Sequence, residues 1–357
     1  MLPNKSPYNR FMLCKDMLEA PDIVRSFDEG SVRPFIQSFL LGTENDSDEK
    51  RTPIQGFFLT GEGSSRIFPA KRAIYDFLRN PRFKGLDRPI SLYTEGATQA
   101  LEYDLSSFVV IGASNSGKTK EVIRLLQILK SRRHSHLYGI TTYRDAPLCR
   151  LCRNTYTLRC GAEGAVAATK SVIEQALFYQ ALFYRLQGKK LSGTNEAGKK
   201  MEAVLKMQLD SELVERIAGA ETLYIGGRNN GVAEELTLKT NEITRKQSDF
   251  LEGTYAVHGI EEVMNPQDVV ILIDPFPEEE EKFTDVLVRG VGAFVCAIAS
   301  RDTSFPTIRI PDDPNFKNYL ELTAGWNLLV EIGIQLGIDL DKPVRARKVG
   351  NEAIPIE

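Results

Sequence analysis

Two groups of residues in this chain have types and spacings that could do chemistry. The first is Ser114-Asn115-Ser116-Gly117-Lys118-Thr119, which follows the apolar run Val109-Val110-Ile111 and precedes a helical pattern. A turn between a buried strand and a helix leaves backbone N–H groups unpaired at the helix start. The helix dipole adds partial positive charge there, and the serines and Thr119 supply hydroxyl donors. Such a turn is built to hold a phosphate. The second group is Glu235, Lys239 and Glu242, spaced by four and three, which on a helix share one face. A carboxylate partly withdrawn from water beside a lysine can alternate its protonation state, as proton transfer next to a carbonyl requires.

Which phosphate the turn holds is open on these residues alone. Gly112 to Thr119 satisfies the nucleotide pattern G-x-x-x-x-G-K-T, and Val269 to Asp274 could be the magnesium-holding strand that accompanies it. Against this, the interior Ala-Ser-Asn-Ser has no glycine to let the backbone wrap a phosphate chain. Hydroxyl donors suit a compact phosphomonoester better. The Glu-Lys-Glu stripe also has a plain alternative, a solvated ion pair worth only ~0.2–0.5 kcal/mol. Asn229 and Asn230 can cap its helix and Gly226-Gly227 can bend a strand end into it, which sets the stripe at the mouth of a second sheet. His258, of a type with a pKa near ~6.5, is suited to moving a hydroxyl proton at neutral pH, or serves structurally. Lys348, in an irregular tail, is a surface lysine or a group that polarises a sugar carbonyl or forms an imine.

The elements that must position these groups alternate. After helices over about 11–43 and a polar loop from Thr43, strand-like runs occur at Gly56–Thr60, Ile90–Thr94, Phe108–Gly112, Leu137–Thr141 and Thr155–Leu158, with helix-length segments such as Ser64–Arg79 and Lys118–Lys130 between them. A long helical pattern covers Ala167–Gln187. Alternation restarts at Thr222–Ile225, Phe250–Glu252, Val269–Ile273, Ala293–Ile298 and Thr307–Ile310 and closes with a helix around Tyr319–Leu336. This predicts two α/β units, each with a parallel sheet. Ligands of such sheets sit beyond the strands' carboxyl ends, where Gly61-Glu62-Gly63-Ser64-Ser65 and Ser114–Thr119 both fall.

A net charge of −3 with mixed signs argues against bulk nucleic-acid binding, and no apolar run approaches the ~20 residues of a membrane span. The N-terminus lacks the apolar core of a signal peptide, so the expectation is a cytoplasmic protein. Cys149 and Cys152 have C-x-x-C spacing, but no second pair completes a metal set; they read as reduced thiols near a helix. His134 and His136, in basic surroundings, read as a solvated turn. Neither a cofactor nor a metal is expected.

Gly61 to Ser65, Ser114 to Thr119 and Glu163-Gly164-Ala165-Val166-Ala167-Ala168-Thr169-Lys170-Ser171 resemble, in order and spacing, the SIS phosphosugar-binding domain. Glu235 to Thr244, His258-Gly259 and Asp341-Lys342-Pro343-Val344-Arg345-Ala346-Arg347-Lys348 resemble the isomerase half of glucosamine-6-phosphate synthase. The resemblance spans about 15–355. It implies an α/β fold of two SIS domains, each a parallel sheet flanked by helices in a flavodoxin-like three-layer sandwich. The expected divisions are a helical segment over 1–45, a first SIS domain over 46–190, a helical linker over 191–215, a second SIS domain over 216–340 and a site-contributing tail over 341–357.

By the same resemblance Ser114, Asn115, Ser116 and Thr119 hold the sugar phosphate, and Gly63, Ser64, Ser65, Val166 and Ala168 line the sugar. Glu242 is the base that moves a proton between C1 and C2, supported by Glu235 and Lys239. His258, supplied by a neighbouring subunit, opens the ring, which implies a homodimer, and Lys348 contacts the open-chain sugar. The implied activity is phosphosugar isomerisation of a hexose 6-phosphate, an amino sugar first, as aldose–ketose isomerisation or isomerising deamination. A fructosamine 6-phosphate deglycase and a non-catalytic sugar-phosphate sensor are the alternatives. Lys118, Ile260 and Ala168 depart from the family's usual Glu, Pro and Ser and leave the sugar undefined. With no cysteine at position 2, no glutamine-hydrolysing domain is expected.

Overall fold

Apolar runs and amphipathic stretches alternate along the chain, and each becomes a strand or a helix. The structure, a computed structural model, describes residues 1, 4–44, 54–84 and 90–345. In chain order these form α1 (Met12–Ser26), α2 (Arg33–Glu44), β1 (Gly56–Gly61), α3 (Ile67–Leu78), β2 (Ser91–Gly96), β3 (Phe108–Ala113), α4 (Lys120–Ser131), β4 (Leu137–Thr141), α5 (Pro147–Leu151), β5 (Asn154–Thr157) and α6 (Lys170–Leu186). There follow α7 (Thr194–Lys206), α8 (Ser211–Ala218), β6 (Thr222–Gly227), α9 (Val232–Lys239), β7 (Gln247–Glu252), β8 (Val269–Ile273), α10 (Glu280–Phe283), β9 (Phe294–Ala299), β10 (Thr307–Arg309) and α11 (Lys317–Gln335).

The chain divides into two compact units. One comprises Ser26–Ala162 and Ser171–Thr194, the other Met1–Arg25, Glu163–Lys170 and Asn195–Ala346. The first holds a parallel sheet of order β2-β1-β3-β4-β5, the second one of order β10-β9-β8-β6-β7. Numbered within its own unit, each sheet reads 2-1-3-4-5, the flavodoxin-like order implied by the resemblance. The order reverses between β1 and β3 in the first sheet and between β6 and β8 in the second, so each sheet opens a crevice at that point.

The core follows from the pattern. β1 and β8 are buried along their whole length, as expected of strands covered on both faces. On α4 the buried residues Val122, Ile123, Leu125, Leu126 and Leu129 recur at helical spacing and pack with Phe58 and Val110 of the sheet. Each such side chain contributes about 1.5–3 kcal/mol on burial. Gly112 makes room for this helix: a Cβ there would stand 3.0 Å from Val122 Cγ1. Among the described residues no helix is long and apolar enough to cross a membrane.

The His134–His136 turn is not solvated as expected. His136 is buried, and the half-buried His134 ring nitrogen Nε2 lies 2.8 Å from the Leu105 carbonyl, because the turn tucks under the β2–β3 connection to lead into β4. Burial lowers the His134 pKa, partly countered by that carbonyl. The helix expected from Ala167 begins at Lys170, leaving Val166 and Ala168 in an irregular segment.

Candidate active site

In the first unit, β1 and β3 are neighbours with Thr60 opposite Gly112, so the turns that leave them start side by side. Gly63, Ser64 and Ser65 form a single 3-10 turn ahead of α3, with Ser64 buried. Glu62 fixes it: its Oε1 accepts the Ala97 N–H at 2.9 Å, and burial raises the Glu62 pKa against that hydrogen bond.

After β3 the backbone folds tightly. Ser114 N–H donates to the Ile140 carbonyl at 3.0 Å and Gly117 N–H to the Ser114 carbonyl at 3.0 Å. Gly117 has φ +65°, and a Cβ there would stand 2.4 Å from Ala146 Cβ, so both conformation and space call for glycine. Ser114 Oγ and Thr119 Oγ1 are 2.7 Å apart, and Ser116 Oγ accepts the Lys118 N–H at 3.2 Å, which leaves the Ser116 O–H to donate elsewhere. Asn115 is tied to β4 through Thr142. Thr119 is the N-cap of the twelve-residue α4 without a side-chain cap bond, so the hydroxyls of the turn are gathered at a helix N-terminus. Lys118 points to solvent.

The nucleotide reading loses its metal partner. Asp274, at the end of β8, is ion-paired at 2.9 Å to Arg228 and 2.8 Å to Lys317, so its carboxylate is already neutralised. Among the described residues no cluster could hold a metal ion.

In the second unit, α9 starts at Gly231, in left-handed conformation, and Asn230 Oδ1 accepts the Val232 N–H at 3.1 Å, as a cap should. The helix does not stay α. Thr237, Thr240 and Thr244 each donate a hydroxyl to the carbonyl four residues back, and Thr240–Thr244 is a π turn. Hydroxyl back-bonding of this kind competes with the backbone ladder, and π turns recur at functional sites.

The widened turn carries Glu242 to Lys239. Lys239 Nζ lies 2.6 Å from Glu242 Oε2 and 3.4 Å from Glu235 Oε1. Lys239 and Glu235 are 0% exposed and Glu242 is 29% exposed, so this is no solvated surface pair. Burial alone would lower the lysine pKa, but Glu242, Glu235 and Glu163 outweigh it and hold the ammonium above its ordinary value. The arrangement is one buried cation flanked by carboxylates, and of the two that pair with it directly Glu242 is the one that reaches toward water.

Glu163, which heads the third sequence motif, was not singled out from sequence. Its oxygen accepts the Thr169 N–H at 2.5 Å, closing the segment that carries Val166 and Ala168. Asp16 of α1 also escaped notice: Oδ2 accepts the N–H groups of Gly164 and Ala165 at 2.8 and 3.0 Å, and Oδ1 pairs with the buried Lys170 at 3.0 Å. A lone acidic residue on an N-terminal helix gives no sequence signal of that role.

His258 stands outside the Lys239 cluster. It is exposed, with Lys282 Nζ 3.3 Å from its Nε2. Lys348 lies outside the described residues. The strap leading toward it is fixed: Arg245, closing the π turn with φ 56°, donates to the carbonyls of Asp339 at 2.8 Å and Lys342 at 2.6 Å. Asp341 accepts the N–H groups of Met12 and Leu13, at the start of α1, at 2.7 and 2.8 Å.

The chain thus carries two flavodoxin-like parallel sheets, a hydroxyl-lined turn after β3 in the first unit and a carboxylate–lysine cluster on α9 in the second. Residues 106–185 match the model of the SIS domain, and the chain shares the fold of two parallel sheets flanked by helices with SIS-fold structures. It is similar to the glutamine–fructose-6-phosphate aminotransferase (isomerizing) of Bacteroides thetaiotaomicron, 24% identical over 95% of this chain and 58% of the relative. The chain spans about half the length of the curated relatives it matches, 42% and 58%. Among solved structures, a tagatose-6-phosphate ketose/aldose isomerase from Escherichia coli superposes with TM-score 0.75 at 15% identity, covering 96% of this chain and 99% of that one. A glucosamine-6-phosphate deaminase from Thermotoga maritima does so with TM-score 0.66 at 18% identity, covering 94% and 98%.

Proposed function

We propose that the protein isomerises a hexose 6-phosphate, an amino sugar first, by moving one proton between C1 and C2. The observation that carries this is the Lys239–Glu242 contact at 2.6 Å, with Glu235 buried behind it. The hydroxyls of Ser114, Ser116 and Thr119 take the phosphate, and Gly63, Ser64, Ser65, Val166 and Ala168 line the sugar.

Glu242 as carboxylate takes the proton from the carbon next to the carbonyl and leaves an enediolate or its nitrogen counterpart, whose oxygen-bound proton shifts from one oxygen to the other before the carbon is reprotonated. The same carboxyl returns the proton to the neighbouring carbon. Lys239, kept charged by its carboxylate neighbours, holds a fixed positive charge beside Glu242. A base so placed contributes about 10²–10⁴ in rate. His258 opens the ring from a neighbouring copy, which its exposure in the single chain suits, and Lys348 polarises the open-chain carbonyl. The names of the relatives support an aldose–ketose isomerisation or an isomerising deamination.

The test is incubation with glucosamine 6-phosphate, with fructose 6-phosphate with and without ammonia, with tagatose 6-phosphate and with fructoselysine 6-phosphate, in deuterium oxide. Solvent deuterium entering C1 or C2 of one of the first three marks the proposed proton transfer. Release of lysine from the last alone moves the assignment to a deglycase. Binding of a sugar phosphate without exchange in any of them leaves a sensor.

A further inference from the structure

The α4-side face of the first sheet is not covered to its edge. Phe58 stands opposite Tyr93 in the strand register, and Gly56 opposite Phe108, so these side chains share that face. Helix α4 lies over β3, but β2 returns to β3 through residues 97–107, which hold only the 3-10 turn Gln99–Glu102. The uncovered edge is a pocket of about 350 Å³. That volume suits a small molecule rather than a folded partner.

Its lining is chemically one-sided. Four aromatic rings meet there: Tyr93 packs edge-on against Phe108 at 5.7 Å and Tyr103 against Phe58 at 6.2 Å. Tyr93 and Tyr103 are 52% and 38% exposed, high for aromatic rings in a recess. Two carboxylates complete it, Glu95 on the same strand face as Tyr93, and Asp104. The Glu95 carboxylate is half-buried and has no hydrogen-bond or ion-pair partner among the described residues. Among the described residues no lysine or arginine lines the pocket, so there a phosphate or carboxylate meets carboxylates and no counter-charge.

We propose that this pocket binds a small organic cation, a primary amine or guanidinium on an aromatic or short aliphatic stem. The stem lies among the rings, and the charged head meets ring faces and the unpaired Glu95. Cation–π attraction strengthens as water is excluded, and a carboxylate at contact adds to it. The site is separate from the hydroxyl turns, although β2 links them: the Glu95 carbonyl accepts the Thr60 hydroxyl at 2.9 Å at the foot of the Gly63–Ser65 turn.

Titration calorimetry of the full chain with phenethylamine and its neutral isostere phenethyl alcohol tests this. Phenethylamine is expected to bind about tenfold or more tightly than the alcohol. Glu95→Gln, which keeps size and shape, should abolish that preference, and Tyr93→Ala should weaken the amine while fructose 6-phosphate binding stays unchanged. Equal affinity for amine and alcohol, no saturable binding of the amine, or an undiminished preference in Glu95→Gln each overturns the proposal. The first two outcomes are read on the unaltered protein, so a variant that fails to fold does not shield the idea.

Discussion

Lys239 and Glu242 meet at 2.6 Å across the point where α9 gives way to a π turn, and the ammonium they share with Glu235 is fully buried. Of the two carboxylates paired with it, Glu242 is the part-exposed one and is the proposed base. Glu242→Gln keeps the side chain's size and a hydrogen-bonding oxygen for Lys239 but removes the base. Turnover and solvent deuterium exchange should fall by about 10²–10⁴, while sugar-phosphate binding, read by thermal shift, persists. Unchanged turnover would remove Glu242 from the proposed mechanism.

The same pair has a consequence for stability. Lys239→Met removes the buried ammonium that lies 3.4 Å from the 0% exposed Glu235 carboxylate. A buried pair broken on one side costs about 3–5 kcal/mol, whereas replacing both partners by apolar groups is often close to neutral. Chemical denaturation should therefore show Lys239→Met strongly destabilised and Lys239→Met/Glu235→Leu substantially recovered. A double variant no more stable than the single one would mean that the pair does not act as a unit.

Both chemical groups were legible in the sequence, for different physical reasons. The Ser114–Thr119 turn announces itself because hydroxyls, glycine and a helix start are contiguous, so local chemistry and local geometry coincide. The Glu235, Lys239, Glu242 stripe was legible as a shared face, but not as a buried one. Its burial comes from packing against distant elements such as α11, whose Gly325 admits Leu236. The π turn was hidden, since threonine hydroxyl back-bonding only becomes decisive once the helix is held in place. Asp16 and Glu163 were missed as positioning groups because each holds its loop by accepting backbone N–H groups, which no side-chain motif reports. The histidine turn failed for a related reason: exposed arginines beside it suggested water, while His136 itself faces inward.

The phosphate turn offers a paired test. Gly117→Ala forces a Cβ to 2.4 Å from Ala146 and 2.7 Å from Thr141 Oγ1 at φ +65°, so the turn must shift. It is expected to lose about 1–3 kcal/mol of stability and most sugar-phosphate affinity. Ser116→Ala removes one hydroxyl and with it the exposed 3.2 Å hydrogen bond from the Lys118 N–H, but adds no clash with the backbone. Its unfolding should be unchanged within about 0.5 kcal/mol, with fructose 6-phosphate bound about tenfold or more weakly, as expected for a hydrogen bond to a charged group. Equal loss of binding and folding in both variants would show that the turn is only structural.

Glu321, in the middle of α11, makes a prediction about pH. Burial pushes its carboxyl up to about 7, against smaller lowering from Asn318, and Asn318 Nδ2 donates to Oε2 at 2.9 Å while Oε1 has no partner. The folded chain thus holds this proton more tightly than the unfolded chain, where the ordinary value is 4.5. Stability from this group is fully present below the unfolded value. It is lost as pH rises through the window from 4.5 to about 7, to a total of about 3 kcal/mol. Glu321→Gln keeps an acceptor for Asn318 and supplies a neutral group at every pH. Across that window the melting temperature of the variant should rise relative to the parent, level with it at the acid end and above it at neutral pH. Parallel melting curves for the two proteins from acid to neutral pH would show that Glu321 does not titrate there.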